Sequence, residues 1–370
     1  MTTHWDWSRY TGSLPWVPSH TIFITRHGSH AYGTSVPESD EDFRGVCIPP
    51  KEYFLGYRKK FENHVQSDPD LTIFEVRKFM SLCSDMNPNV VELLFTEPSD
   101  HLYIHPSMSQ ILAERDLFLS QRVLHTYIGF AAAQVRKVTT HARWLKEAPV
   151  RPTRADFGLK EEAEIPRDQL GAALTLVDRQ VDAWTDFDYL QPGDLQVLRT
   201  KVTKAISEAN HWSNPKSDLW ETAGKALGFD SNFLEYLAKE KAYRAKEKEY
   251  SDYVSHVKGR NGKRSEIESK YGYDTKYALH AVRLVRTAKE LLTTGTLQVR
   301  RPDASELVSI RNGSWPLEKV MGYVKDMEAE LHETPTSLPK SPNLEEIDKL
   351  CVSAVQRFLG YGSSISLFCR

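Results

Sequence analysis

The sequence predicts an α+β fold, in which a strand-and-helix unit precedes a largely helical remainder. Two observations support it. Short β-branched apolar runs recur between residues 21 and 76, the mark of buried strands. Beyond residue 107, apolar residues recur at helical spacing over long windows, punctuated by Pro-containing stretches. Taken in order, residues 1–20 are rich in Trp and Pro and read as an N-terminal tail. Residues 21–25 form a strand, with Gly28 and Ser29 close behind it. Residues 39–48 read as a second strand, stopped by Pro49 and Pro50, which cannot donate to a ladder. A helix is expected over 51–65, a third strand over 71–76, and helical turns over 77–83 and 90–95. This core spans 21–106.

A helical domain is expected over 107–333. Its helices fall at 107–144, 168–187, 194–210, 216–227, 233–257 and 275–292, with a loop or linker at 149–166. Gly295 supplies a C-terminal stop for the 275–292 helix, and Gly313 closes another after Arg311-Asn312. The Pro-rich stretch 334–342 opens a C-terminal segment, 334–370, that carries one more helix at 344–359.

Composition narrows the class. Across 370 residues, 40% are hydrophobic and 26% charged, as in an ordinary globular protein. The net charge of −2 gives no bulk signal for nucleic acid. No stretch approaches the ~20 apolar residues of a membrane-spanning helix, so no membrane partner is expected. The N-terminus lacks a basic region followed by an apolar run. The four cysteines, Cys47, Cys83, Cys351 and Cys369, are widely spaced and form no CxxC pair. They argue against a zinc site or disulfide framework and fit a cytoplasmic protein. Charge is uneven, however. Residues 255–301 carry 11 Lys/Arg against 4 Asp/Glu, a net +7 set against −9 in the remainder. Such a window offers a face for phosphates, or simply a solvated helix surface.

The residues that suggest chemistry lie early. Asp40-Glu41-Asp42 follows Gly28-Ser29 closely. In a strand, side chains alternate between faces, so Asp40 and Asp42 point one way and Glu41 the other. Two carboxylates side by side repel unless a cation lies between them, and hard oxygen ligands of this kind suit Mg2+ or Mn2+. Glu75 sits in an otherwise apolar run, Ile73-Phe74-Glu75-Val76, where a carboxylate needs a partner. A metal site of Asp40, Asp42 and Glu75 answers both needs. Gly28 lets a phosphate approach the backbone, the helical turn after it offers free N–H groups, and Ser29 adds a hydroxyl. These parts describe phosphoryl or nucleotidyl transfer. Two metals would clamp the α-phosphate, one activating the attacking hydroxyl and one bound to the outgoing pyrophosphate. The plain alternative is a solvated acidic turn with Glu75 on an exposed face. Asp70 competes with Glu75 as the third ligand. Lys78 follows the third strand and can reach a phosphate, although a surface lysine is the default reading. Arg26, His27 and His30 flank Gly28-Ser29 without a required role. Trp5, Trp7 and Trp16 suit packing of the tail better than base stacking.

The segment GSHAYGTSVPESDEDFRGV resembles the signature of the polymerase-β-like nucleotidyltransferase superfamily. The blocks VRKFMSLCSDMNPNVVELLF, LSQRVLHTYIGFAAAQVRK and YGYDTKYALHAVRLVRTAKELLTTGTLQVRRPDASELVSIRNG are similar, more narrowly, to the predicted nucleotidyltransferases of RNA-repair pathways in bacteria and phages. The blocks span most of residues 20–320, while 150–240 matches poorly. Two departures stand out: Glu41 replaces an apolar residue between the acids, and Glu75 stands where Asp is commoner. The resemblance implies a small mixed sheet with flanking helices, followed by a helical region closing the active-site cleft. It implies that Lys276, His280 and Arg283, which share one face of a helix, hold the triphosphate together with Gly28, Ser29 and Lys78. Asp274 then serves as that helix's N-cap. The implied activity is metal-dependent transfer of NMP from an NTP to an acceptor hydroxyl, with Mg2+ or Mn2+ as cofactor and RNA as the partner. NMP transfer to a protein or small molecule, and a non-catalytic nucleotide- or RNA-binding role, are the rival readings.

Overall fold

A computed structural model describes residues 5–37, 39–185, 200–204, 215–260 and 262–360. The chain divides into two compact units, one of Met1–Ala142 with Ile267–Arg370 and one of Arg143–Glu266. Among the described residues, no helix is long and apolar enough to cross a membrane.

The first unit is built on a five-stranded mixed sheet. Its strands are β1 (Thr21–His27), β2 (Asp42–Cys47), β3 (Asn63–Ser67), β4 (Asp70–Glu75) and β5 (His101–Ile104), in the order β3-β4-β2-β1-β5. The β2–β4 pair is parallel and all other pairs are antiparallel. The parallel register sets Asp42 opposite Asp70 and Cys47 opposite Glu75. All three expected strands are present, as β1, β2 and β4, with ends shifted by a few residues. The expected helix over 51–65 is not. A single turn, Glu52–Leu55, is followed by β3, whose exposure alternates residue by residue. Val65 points to solvent on this edge strand, 62% exposed, so the apolar spacing that suggested a helix does not mark a buried face. The four-residue edge strand β5 was too short for its alternation to register.

Among the described residues the helices include α1 (Gly28–Tyr32), α2 (Val76–Ser84), α3 (Pro106–Ala113) and α4 (Arg122–Lys146), then α5 (Arg167–Thr185), α6 (Pro215–Ala226), α7 (Ser231–Gly259) and α8 (Gly262–Tyr271). They continue with α9 (Thr275–Thr294), α10 (Ala304–Arg311), α11 (Leu317–Glu333) and α12 (Leu344–Leu359). The expected helix at 194–210 lies mostly outside the described residues. Both faces of the sheet are covered. Val46 and Ile48 join a large apolar core with α2, α3, α9 and α12. On the other face Phe43, Cys47, Leu71 and Ile73 pack against Trp5 and Val17. The N-terminal segment is therefore a packing layer: the Trp5 ring meets Phe43 edge-on at 4.8 Å, and the Arg9 guanidinium lies over both rings. The second unit has its own small core, in which Leu170, Leu234 and Leu237 are buried beside Trp220 and Phe233.

Candidate active site

The candidate site forms at one end of the central strands. β1 runs antiparallel to β2 with His27 opposite Asp42, so the turn after β1 arrives beside the start of β2. Gly28 makes that turn with φ +64°. A Cβ there would overlap the Asp42 carboxylate, which ties this backbone to that side chain. α1 follows and closes at Gly33, also left-handed at φ +74°. Ser29, half-buried, accepts at its carbonyl from the N–H groups of Gly33 and Thr34.

Asp42 and Asp70 are neighbours across the parallel pair, one strand spacing or about 4.8 Å apart at the backbone. Counting alternation along each strand, both share the face of Val46 and Phe74. Burial, reinforced by a hydrogen bond with Asp70, pushes the Asp42 carboxyl up to about 6, while Arg44 and Lys276 pull it back. Arg44 donates to Asp70 Oδ1 at 2.9 Å. That bond occupies one of roughly four lone-pair sites on the carboxylate. The pair therefore offers hard oxygens, crowded together and only partly neutralised, which is the donor chemistry a divalent cation takes. Asp40 lies exposed in the segment entering β2 and makes no hydrogen bond or ion pair among the described residues. Glu41 turns away and meets Arg26 at 3.3 Å, which accommodates the charged residue between the two acids. Ser39 accepts from Arg311 Nη1 at 3.4 Å and holds the loop through Val36.

Three of the expected site residues lie elsewhere. Glu75 sits five residues beyond the Asp70 position, about 16 Å along the strand, and on the opposite face. It caps α2 by accepting from the Lys78 N–H at 3.0 Å, and it pairs with Arg77 at 2.8 Å. That explains a carboxylate in an apolar run without any metal, and Asp70 takes its place beside Asp42. Lys78 is on the same remote end and meets Glu62 at 3.7 Å. Arg283 is buried inside the unit rather than facing a cleft. Its Nη1 donates to Glu92 Oε1 at 2.8 Å, and its guanidinium covers the Tyr32 ring at 3.8 Å. Glu92 also accepts from Tyr32 at 2.8 Å and Tyr127 at 3.3 Å, and the Tyr32 hydroxyl contacts His27 Nε2 at 3.2 Å. Burial, with the nearby charges of Arg44, Arg283 and His280, holds the His27 imidazole well below its usual range. This network joins α9 to α1, directly beneath Gly28-Ser29.

α9 is capped by Asp274, which accepts from the Lys276 N–H at 2.9 Å, and ends at Gly295, φ +70°. Lys276 is exposed, and its charge is felt at Asp42. His280, one turn on, is close enough to bear on His27. The structure thus brings together Gly28, Ser29, Asp42, Asp70, Lys276 and His280, and separates Glu75, Lys78 and Arg283 from them. Arg44 is the site residue that the sequence missed, and Asp70 the one it held only as the alternative to Glu75. Their signal is the parallel register, which no spacing along one strand reveals.

The basic window is also internally neutralised along α9 and beyond it. Arg286 pairs with Asp303 and Glu306, Lys289 with Glu330, Arg300 with Glu97 and Asp100, and Arg301 with Glu290 and Asp303. Of the Lys and Arg residues between 275 and 301, Lys276 alone makes no ion pair among the described residues.

Comparison with known proteins agrees with the resemblance read in the sequence. Residues 16–154 match the model of RlaP, the RNA repair pathway DNA polymerase beta family. A protein of Enterobacteria phage T4, described as an uncharacterized 38.9 kDa protein in the nrdC-mobD intergenic region, is 22% identical over 345 residues. The alignment covers 89% of this chain and 93% of the phage protein. No solved structure matches the chain significantly.

Proposed function

We propose that this chain, whose residues 16–154 carry the RlaP family segment, is a metal-dependent nucleotidyltransferase. It moves NMP from an NTP to the 3′ hydroxyl of an RNA and releases pyrophosphate. The observation that carries the reading is the pairing of Asp42 with Asp70 on adjacent parallel strands, beside the turn at Gly28-Ser29. The RNA repair pathway named for the family supports the acceptor.

Asp42 and Asp70 hold the divalent ions, with Asp40 beside them on the entering segment. When bound, Mg2+ or Mn2+ lowers the pKa of the acceptor hydroxyl and offsets charge growing on the α-phosphate. Gly28 lets the triphosphate approach the backbone, and the Ser29 hydroxyl donates to a phosphate oxygen. The ammonium of Lys276 steadies the charge that passes to pyrophosphate, with His280 on the same helix face. As the acceptor oxygen bonds to the α-phosphorus, the bond to the pyrophosphate oxygen breaks. The hydroxyl proton passes to a carboxylate oxygen of the aspartate pair.

The test is incubation of the purified chain with each α-32P-labelled NTP, Mg2+ or Mn2+, and total RNA. An Asp42→Asn/Asp70→Asn variant runs alongside. Label entering RNA with the wild type alone is the expected result and identifies the base. Label on protein would move the acceptor to the rival enzyme reading. Equal labelling by the variant would remove the aspartate pair from the chemistry.

A further inference from the structure

We propose that the connection between β2 and β3, residues 51–61, is a docking platform for the body of a single-stranded RNA, remote from the reacting end. The proposal rests on the RNA-acceptor reading above. The segment KEYFLGYRKKF interleaves four cations, Lys51, Arg58, Lys59 and Lys60, with four aromatic rings, Tyr53, Phe54, Tyr57 and Phe61.

Its base is fixed. The Trp16 indole N–H donates to the Tyr53 hydroxyl at 3.2 Å, and the Trp16 ring packs on Tyr53 at 5.2 Å and on Phe61 at 5.0 Å. Phe54 packs against the main core and carries the Arg77 guanidinium at 4.4 Å. Three aromatic rings thus serve the loop's own packing. What they hold outward is a different set. Tyr57 is 90% exposed and Leu55 83%, the two exposed large hydrophobic side chains of this loop. Arg58, Lys59 and Lys60 follow Tyr57 directly, all exposed, and none makes an ion pair among the described residues. Of the two acids in and beside the loop, Glu62 is already engaged by Lys78, and Glu52 lies on the single helical turn before the cations.

The contrast with the α9 part of the basic window, residues 275–301, is what gives the loop its weight. There, five of the six cations between 275 and 301 are matched to carboxylates. Here Arg58 and Lys60 are left to solvent and Lys59 lies over the Tyr53 ring at 5.6 Å, beside the Tyr57 ring, on which nothing stacks among the described residues. An exposed ring among unpaired cations suits a ligand with a repeating negative backbone and flat, unstacked faces. Single-stranded RNA has both, whereas a duplex hides its base faces. A membrane surface is a poorer match, because one Leu and one Tyr offer little apolar area for insertion. The loop leaves β2 at its Cys47 end, about 16 Å from Asp42 along the strand. It can therefore grip the strand without touching the end that reacts.

The experiment uses the full chain and a fluorescein-labelled oligoadenylate RNA, read by anisotropy without NTP or metal, so that binding is separated from catalysis. The proteins are wild type, Tyr57→Ala, Tyr57→Phe, an Arg58→Ala/Lys59→Ala/Lys60→Ala triple variant, and Lys289→Ala as a basic control outside the loop. The wild type is expected to bind. The triple variant should bind at least about tenfold more weakly, with the slope of log K against log salt flattened by about 2. Tyr57→Ala should lose about tenfold, Tyr57→Phe should keep its affinity, and Lys289→Ala should match the wild type. If wild type binds and the triple variant binds equally well, the platform is elsewhere and only the loop proposal fails. If the wild type binds no RNA, the RNA acceptor and the loop fail together. Binding to phosphatidylserine vesicles but not to RNA, lost in the triple variant, would make the loop a membrane contact and overturn the proposal.

Discussion

Gly28 stands where β1 ends, at φ +64°, with the space a side chain would need already filled by the Asp42 carboxylate. A Cβ would meet both objections at once: the left-handed backbone disfavours any L side chain, and the overlap displaces the acid. A shift near 1 Å at a reacting group costs about a hundredfold in rate. Gly28→Ala should therefore lower nucleotidyl transfer by at least about that factor while leaving NTP-independent RNA binding intact, as steady-state labelling beside anisotropy will show. Loss of RNA binding to the same degree would mean that the substitution unfolds the unit rather than misplacing one carboxylate. Asp42 and Asp70 are the other half of this arrangement. Each is ordinary alone, and the parallel register makes them a pair.

Two elements carry acidic or basic residues whose purpose is structural, and they separate capping from chemistry. β4 ends at Glu75, whose side chain caps α2 and holds Arg77, while Asp70 begins the same strand beside Asp42. Glu75→Ala should cost about 1 kcal/mol of stability through the lost cap and leave turnover of the folded protein near wild type. Asp70→Asn should do the reverse, keeping the melting temperature and cutting turnover by at least about a hundredfold. Paired thermal melts and labelling assays decide it, and a metal role for Glu75 would show as lost activity at unchanged stability. α9 presents a similar separation. Its Lys276 faces solvent near Asp42, yet Arg283, two turns later, is buried against Glu92 and the Tyr32 ring. Breaking a buried pair from one side strands a charge and costs about 3–5 kcal/mol. Arg283→Ala should shift the urea midpoint accordingly. If the midpoint holds and only the KM for NTP rises, Arg283 reaches substrate after all.

At the scale of the whole molecule, the sequence conveyed what depends on local spacing and withheld what depends on pairing. The strands over 21–25 and 71–76, the helix 344–359 and the stop at Gly295 were legible because period, caps and breakers act within a few residues. The helix expected over 51–65 failed because Val65 lies on an exposed edge strand, and Glu75 displaced Asp70 in the reading because register between distant strands leaves no trace in either one. The same limit hid the ion pairs of Arg300 with Glu97 and Asp100, which join residues far apart in the chain. Register also sets how the folded protein responds to pH. Asp42 titrates near 6 in the fold and near 3.9 when unfolded, so between those values the folded state binds more protons. Stability at this residue is thus full below the unfolded value and is lost as pH rises through about 6. Allowing for the water that reaches this half-buried group, the loss is about 1 kcal/mol at neutral pH. Without divalent cations, Asp42→Asn should then melt slightly higher than wild type at pH 7.5, and the gain should vanish at pH 4. A cation that binds the folded chain alone reverses the balance, adding about 2.7 kcal/mol when present at a hundred times its Kd. Mg2+ or Mn2+ should therefore raise the wild-type melting temperature by a few degrees at pH 7.5 and leave Asp42→Asn/Asp70→Asn unmoved. An equal rise in both proteins would place the ion away from the aspartate pair.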